Sequence, residues 1–230
     1  MRSIFLSLFC TIAVLLSSTN AWAQDKKLPR VLIIGDSISL GYTKAVAKQL
    51  DGVAIVLRPA ENCQHTGHGL ARIKTWLGDG KWDVIHFNWG IWDTHMISST
   101  GVLISNETKF EGKMHIRHSP EKYRENLTSL VNTMEKTGAK LIWASTTPIM
   151  SRTGKRFDDI KNLNTVAESL MKERKIAIND LYSFVLPNAK EWQSGDKVHF
   201  NAVGNQHLAK QVSDSIRTAI GKGSEKKSEK

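Results

Sequence analysis

The feature that most constrains this chain is a regular alternation between short apolar runs and stretches with helical periodicity. Each apolar run is short, which is typical of a strand buried on both faces of a parallel sheet. Five such runs predict five strands, at Val31–Ile34, Val53–Leu57, Val84–Phe87, Leu141–Ala144 and Ile176–Ile178.

Apolar residues recur at helical spacing between these runs, so each interval predicts a helix with one core-facing side. The stripes are Leu70, Ile73 and Leu77; Tyr123, Leu127, Leu130, Val131 and Met134; Ile160, Leu163, Ala167, Leu170 and Met171; and Val203, His207, Leu208, Val212 and Ile216. A strand-helix repeat of this kind predicts an α/β fold, a three-layer α/β/α sandwich around a parallel sheet with right-handed crossovers.

The two ends of the chain differ in composition from the rest. Residues 1–23 combine an early arginine, an apolar stretch and small residues at Ala21 and Ala23, which is typical of a signal peptide. This apolar stretch is too short for a permanent membrane span. We therefore expect export, to a periplasm or outside the cell, one domain over residues 24–220, and a disordered tail of Gly, Ser, Lys and Glu over residues 221–230.

Charge and cysteine content narrow the classes of partner and of stabilisation. The formal net charge is +10, which favours anionic surfaces or acidic polysaccharide, and no nucleic-acid-binding motif accompanies it. Cys10 leaves with the signal peptide, so Cys63 is alone and cannot form an internal disulfide. The fold must therefore be held by its core.

The first candidate site residue is Ser37, in the sequence Gly35-Asp36-Ser37 directly after the first strand. In such a sheet, working residues lie beyond the carboxyl ends of the strands. A serine at this place has its hydroxyl at the edge of the sheet and its N–H near a helix start, which suits a nucleophile. The alternative is that Asp36 or Ser37 only caps the helix.

A second motif, Asp196-Lys197-Val198-His199, lies just before the last helical stripe. A serine hydroxyl becomes a nucleophile when an imidazole accepts its proton, and a carboxylate then fixes the tautomer of that imidazole. One turn supplies both groups here. Such a motif is common by chance, but together with Gly35-Asp36-Ser37 it favours a Ser37, His199 and Asp196 triad.

These motifs resemble the GDSL, or SGNH, hydrolases over nearly all of the domain, from Gly35 to the helix after His199. The resemblance implies a flavodoxin-like sandwich and hydrolysis of esters or thioesters. It implies that Ser37 is the nucleophile, and that Asp196 and His199 are its partners. It also implies an oxyanion hole of three donors: the serine N–H, a glycine N–H after the second strand, and an asparagine amide after the third.

The chain departs from the family at two of these donors. Gln64 stands where the glycine falls, which is acceptable if the backbone conformation is kept. Trp92 stands where the asparagine belongs, and an indole is a poor replacement for a small amide. Asn88, on the same face if the strand continues, is the amide that we expect to serve instead.

Several nearby residues allow other interpretations. His65, His68, Asp93 and His95 are spaced as possible metal ligands, but their separations are generic and we assign no metal. The weakly periodic stretch Thr94–His118 is typical of a lid or substrate wall, with Lys109, Lys113 and Arg117 placed to meet an acidic or sugar substrate. Trp89 and Trp92 are expected to border the site.

The sequence therefore predicts an exported serine esterase without a cofactor, acting on a small-molecule or carbohydrate ester, with removal of acetyl groups from carbohydrate as the favoured reaction. One alternative is an acyltransferase that uses the same serine. Another is a carbohydrate-binding protein of weak or absent activity, which the missing asparagine makes credible. The oligomeric state and the acyl group do not follow from these motifs.

Overall fold

A computed structural model describes residues 27–104, 112–150, 157–158 and 160–228, with side chains up to residue 221. The signal peptide predicted for residues 1–23 lies outside the described residues, as does Lys109. Both therefore stay predictions.

Five parallel strands form the central sheet, as predicted. They are β1 (Arg30–Ile34), β2 (Ile55–Leu57), β3 (Val84–Phe87), β6 (Lys140–Ala144) and β7 (Ala177–Asn179), in the order β2-β1-β3-β6-β7. The first crossover runs to one edge and the later ones to the other, so the chain changes direction between β1 and β3. Clefts form at such switch points, beyond the carboxyl ends of the strands.

Helices cover both faces of the sheet. They are α1 (Ser37–Gln49), α2 (Thr66–Leu77), α3 (Pro120–Glu135), α4 (Ile160–Glu173), α5 (Leu181–Val185), α6 (Ala189–Trp192) and α7 (Ala202–Ser228), with a 3-10 turn at Leu186–Asn188. Side chains alternate between the faces of a strand. In β1, Val31 and Ile33 therefore join the core under α1 and α7, while Leu32 and Ile34 join the core under α2, α3 and α4.

The predicted stripes of α3 and α4 are buried throughout. Ser119 caps α3 by accepting the N–H of Lys122, and Pro120 takes the first helical position, as predicted. Two stripes need correction, because Leu70 and Val203 are exposed. In α2 the small residues Thr66 and Gly69 are buried instead.

The prediction that all five strands are buried on both faces is wrong for the outer two. Ile55 and Leu57 of β2 and Ile178 of β7 are exposed. The reason is their position, because β2 and β7 are the edges of the sheet and the helical layers cover them incompletely. A short apolar run in the sequence indicates a strand, but it does not indicate where that strand lies in the sheet.

The predicted insertion Thr94–His118 contains an antiparallel hairpin that the sequence did not predict. It pairs β4 (Met96–Ser98) with β5 (Met114–Ile116), apart from the main sheet. Backbone bonds anchor its end beside the sheet, since Arg117 N–H donates to His95 O at 2.9 Å and His118 N–H donates to Asp93 O at 3.1 Å.

The C-terminal helix also differs from expectation. The backbone of α7 continues from Gly221 to Ser228, where the sequence predicts a disordered tail. A helix already anchored by packing extends at one hydrogen bond for each residue fixed, and Lys and Glu are good helix formers. None of the described helices, α7 included, has a stretch both long and apolar enough to traverse a bilayer.

The contact between α2 and the sheet makes a prediction about Gly69. A methyl group added there would lie 2.9 Å from Cζ2 of Trp89, which is fully buried. Gly69→Ala is therefore expected to lower the free energy of unfolding by about 1–3 kcal/mol through overpacking, although alanine favours a helix more than glycine does.

Urea denaturation measures this change. Leu70→Ala is the matched control, because Leu70 is the next residue of the same helix and is exposed, so it should change stability little. A Gly69→Ala protein as stable as the parent would contradict this packing.

Candidate active site

The side chains of Ser37, His199 and Asp196 meet at the carboxyl edge of the sheet, although Ser37 is far from the other two in sequence. Ser37 Oγ lies 2.8 Å from His199 Nε2. On the other side of the ring, His199 Nδ1 lies 2.5 Å from Asp196 Oδ2. With Nδ1–H donating to the carboxylate, Nε2 is left to accept the hydroxyl proton of Ser37.

A tight turn before α7 holds the histidine and its carboxylate. Asp196 Oδ1 accepts the N–H of Val198 and the N–H of His199, both at 3.0 Å. The backbone closes around them, since Ser194 N–H donates to His199 O at 2.8 Å and Lys197 adopts φ +59°. The turn therefore fixes the direction of the imidazole before any substrate binds.

The same bonds keep Asp196 ionised. Burial by itself would raise the pKa of Asp196, but the hydrogen bonds from His199 and from the backbone N–H groups outweigh it, and the pKa lies below its ordinary value. An ionised Asp196 stabilises the positive charge that forms on His199 when it takes a proton.

The loop that carries Ser37 is fixed from both sides. Asp36 Oδ1 caps α1 by accepting the N–H of Ile38 at 2.9 Å, and Arg58 donates to Gly35 O at 3.1 Å. Gly35 has no room for a side chain, because an added Cβ would lie 2.9 Å from the side chain of Ser39. Asp36 is thus the cap, and Ser37, the first residue of α1, is left to face His199.

Asp36 is an unusual carboxyl group. It is buried, and among the described residues its Oδ2 has no hydrogen-bond partner. Burial raises its pKa from the ordinary 3.8 to about 6, against the N–H of Ile38 and the charges of His199 and Arg58, which lower it. A small cavity beside it is also lined by Thr147, whose Oγ1 likewise has no partner in the described part of the chain.

Gln64 lies beside the Ser37 loop, because the N–H of the preceding Cys63 donates to Gly35 O at 3.3 Å. Its φ of +46° is the left-handed conformation that usually requires glycine, so the backbone shape expected at this position is kept. Its N–H, however, donates to Asn62 Oδ1 at 2.9 Å. This donor must exchange that bond before it can serve an oxyanion.

The expectation that Asn88 aims its amide at the oxyanion is not what the structure shows. Asn88 Nδ2 donates to Ala144 O at 2.8 Å and to Thr146 Oγ1 at 2.9 Å. Both amide hydrogens are thus used in joining the ends of β3 and β6. The side chain is half-buried and turned along the sheet edge, because β6 and the loop after it present these two acceptors.

The two tryptophans near this edge of the sheet are held by different contacts. Trp92 is half-buried, with its ring stacked on His95 at 5.1 Å between centroids, and its carbonyl accepts Arg117 Nε at 3.1 Å. Trp89, expected at the border of the site, is fully buried and stacked on Trp76 instead. The aromatic border is therefore narrower than predicted.

A second polar network, which the sequence did not reveal, lies behind this edge. Asp93 is fully buried and accepts from His118 Nδ1 at 2.6 Å and from Thr66 Oγ1 at 2.5 Å. Asn126 Nδ2 donates to the same Thr66 hydroxyl at 3.1 Å. Sequence spacing alone carries no signal for it, because its members come from three separate segments.

Two of the residues considered as metal ligands, Asp93 and His68, are engaged in contacts within the protein. Asp93 bonds to Thr66 and His118, and His68 Nε2 lies 3.3 Å from Glu61. Among the residues that the structure describes, no three His, Cys, Asp or Glu side chains form a group suited to a metal ion. Cys63 is buried, as a structural thiol would be.

The buried carboxyl of Asp36 makes a pH-dependent prediction. Between about pH 4 and 6 the folded chain keeps a proton on Asp36 that the unfolded chain has lost, so this residue lowers stability as pH rises through that window. Asp36→Asn retains a carbonyl for the cap and cannot ionise. Between about pH 4 and 7, we expect the free energy of unfolding of the variant to rise relative to that of the parent by up to about 3 kcal/mol.

Urea denaturation of both proteins at several pH values tests this, with the difference between them as the observable. The parent curve alone does not suffice, because His86 acts in the opposite sense. Burial lowers the pKa of His86 from 6.5 to about 4, so His86 raises stability as pH rises. A difference that stays constant with pH would contradict the assignment to Asp36.

Part of the chain matches a known protein family. Residues 102–212 match the family model GDSL-like Lipase/Acylhydrolase. The match contains Asp196 and His199 and begins beyond the Ser37 loop. No curated protein matches the chain.

The fold is similar to several solved structures of ester hydrolases. An acetyl xylan esterase, AlAXEase, has a TM-score of 0.63 and 16% identity, covering 81% of this chain and 99% of that one. The lipase/acylhydrolase from Enterococcus faecalis has a TM-score of 0.64 and 20% identity, covering 83% and 96%. The psychrotrophic esterase EstA from Pseudoalteromonas sp. has a TM-score of 0.62 and 15% identity, covering 84% and 98%.

At these sequence identities, the similarity to the solved structures shows the fold alone. They agree with the predicted α/β sandwich around a five-stranded parallel sheet, and the sequence match agrees with the predicted resemblance. Both predictions are confirmed. The proteins that this chain resembles include esterases and lipases, which are hydrolases that act on esters.

Proposed function

We propose that this chain, whose residues 102–212 match the GDSL-like Lipase/Acylhydrolase family model, is an exported serine esterase in which Ser37 is the nucleophile, His199 the base and Asp196 the residue that orients the base. The observation that carries the proposal is the continuous line of hydrogen-bonded atoms from Ser37 Oγ through the His199 ring to Asp196.

The reaction proceeds in two halves. His199 Nε2 takes the Ser37 proton while Oγ attacks the acyl carbon, and the tetrahedral intermediate expels the alcohol, which receives that proton from His199. Water then loses a proton to His199 and attacks the acyl-enzyme, which releases the acid and restores Ser37. The side chains of His199 and Asp196 are each about two-fifths exposed, so a substrate can reach this pair.

The oxyanion is stabilised by backbone donors. The N–H of Ser37 lies in the first turn of α1, where N–H groups have no partner within the helix and the helix dipole favours negative charge. The N–H of Gln64 is the second donor, once it exchanges Asn62 Oδ1 for the oxyanion. With Asn88 engaged elsewhere, this hole has fewer donors than the family pattern, and each donor lost costs about 2.7–4 kcal/mol.

The proposed substrate is an acylated carbohydrate, with acetyl as the acyl group. Three observations support it: the similarity to a fold that includes an acetyl xylan esterase, the signal-peptide pattern of residues 1–23 and the basic net charge. If the export proposal holds, the protein recovered from its host begins at Gln24. An N-terminus that retains residues 1–23 would contradict export.

Labelling with a fluorophosphonate tests the nucleophile. Mass spectrometry of peptides should find one modification, on Ser37, and His199→Ala should abolish it, because the hydroxyl then has no base. His207→Ala is the matched control, since His207 is an exposed histidine of α7 whose ring stacks on Trp192. It should leave labelling unchanged. A folded parent protein that is not labelled would favour the carbohydrate-binding alternative.

Kinetics test the orienting residue. Asp196→Ala should lower kcat for acetylated sugars or p-nitrophenyl acetate by about 10³- to 10⁴-fold, because the imidazole loses its fixed tautomer. Unfolding in urea should change much less, since the pair is partly exposed. Product analysis with a sugar acceptor present separates hydrolysis from transfer: free acetate supports the esterase, and an acylated acceptor supports the acyltransferase alternative.

A further inference from the structure

Three basic side chains cluster next to the loop of Gln64, and we call them the basic rim: His65, Arg117 and His118. The His65 and His118 rings lie 5.2 Å apart between centroids. Burial and, after it, the charge of Arg117 lower the pKa of His65 to about 4, and Arg117 directly precedes His118 in the chain. Two loops and the end of the β4–β5 hairpin therefore bring the three together.

Arg117 is held in place without an ion pair. Its N–H donates to His95 O at 2.9 Å and its Nε donates to Trp92 O at 3.1 Å. No carboxylate in the described part of the chain lies within ion-pairing distance of it, and its other guanidinium nitrogens make no hydrogen bond there. A half-buried guanidinium whose terminal amino groups are free to donate is suited to bind an anion.

Asp93 does not supply that counter-ion directly. It is the acid whose charge acts on Arg117, yet its oxygens accept hydrogen bonds from the backbone N–H and hydroxyl of Thr66 and from His118 Nδ1. These bonds turn Asp93 toward the interior and fix the His118 ring. The two terminal amino groups of Arg117 keep their capacity to donate.

The hydrogen bonds of His65 determine which of its ring nitrogens can donate. His65 Nδ1 accepts the N–H of His68 at 3.2 Å and thereby caps α2. A neutral His65 therefore carries its hydrogen on Nε2, which makes it a donor at neutral pH. Arg117 and His65 thus offer N–H groups, and neither offers an acceptor.

The basic rim lies along the same sheet edge as the nucleophile. His65 directly follows Gln64, whose loop is bonded to Gly35 through Cys63 N–H. Arg117 is bonded to Trp92, the residue that replaces the usual oxyanion asparagine. An ester group at Ser37 would therefore leave the adjoining part of its substrate facing these donors.

We propose that the basic rim binds a carboxylate of the substrate, with Arg117 as its main contact and His65 as a second donor, so that the preferred substrates are acylated oligosaccharides of a hexuronic acid. This inference rests on the proposed function and names the substrate class of that same site. The guanidinium matches a carboxylate in shape, through two parallel N–H donors. The chain's net charge of +10 suits a polyanionic substrate.

The test compares an acetylated hexuronate oligosaccharide with its carboxyl-reduced, neutral counterpart. Arg117→Gln should lower kcat/KM for the acidic substrate by about 10- to 100-fold and leave that for the neutral one within about 2-fold. Arg117→Lys should retain part of the preference, because it keeps the charge and loses the fork. Lys136→Gln is the control, an exposed cation at the C-terminal end of α3 whose loss should have little effect.

Two results would overturn the inference: a parent enzyme that does not prefer the acidic substrate, or an Arg117→Gln enzyme that loses activity equally on both, which indicates a purely structural role. Fluorophosphonate labelling of Ser37 separates this failure from failure of the esterase proposal. If Ser37 is not labelled, calorimetry with the unacetylated hexuronate oligomer still decides: the parent should bind it and Arg117→Gln should not.

Discussion

The contact between Ser37 Oγ and His199 Nε2 is the interaction on which the rest of the site depends. It joins a residue that follows the first strand to one that precedes the last helix, and the parallel sheet makes this possible. All strands end at one edge, and α1 and α7 pack over the same face of the sheet. Packing in the core therefore brings the loops that carry Ser37 and His199 together.

The sequence predicted the parts of the fold that follow from local pattern. The buried strands β1, β3 and β6 are short continuous apolar runs, and the stripes of α3 and α4 recur at helical spacing, so both can be recognised locally. Edge strands were misjudged because burial depends on neighbours, which no local pattern reports. The hairpin β4–β5 was missed because its strands are short and only one of their six residues is buried.

The candidate site divides in the same way. Ser37, Asp196 and His199 could be predicted because each stands in a short motif with a known geometry. Asn88 could not, since the acceptors that hold its amide come from β6 and the loop after it, far along the chain. The Asp93–His118 pair could not be predicted for the same reason, because its two residues lie in separate segments of the chain and their spacing in the sequence does not indicate a contact.

A double-mutant cycle on hydrolysis of an ester tests the central claim most directly, since residues that act as one unit are strongly non-additive. The kcat/KM values of the parent, Ser37→Ala, His199→Ala and the double variant would be compared. If the hydroxyl and the imidazole act together, either single change removes about as much activity as both. If the two losses multiply instead, Ser37 and His199 work independently and the account of this site is wrong.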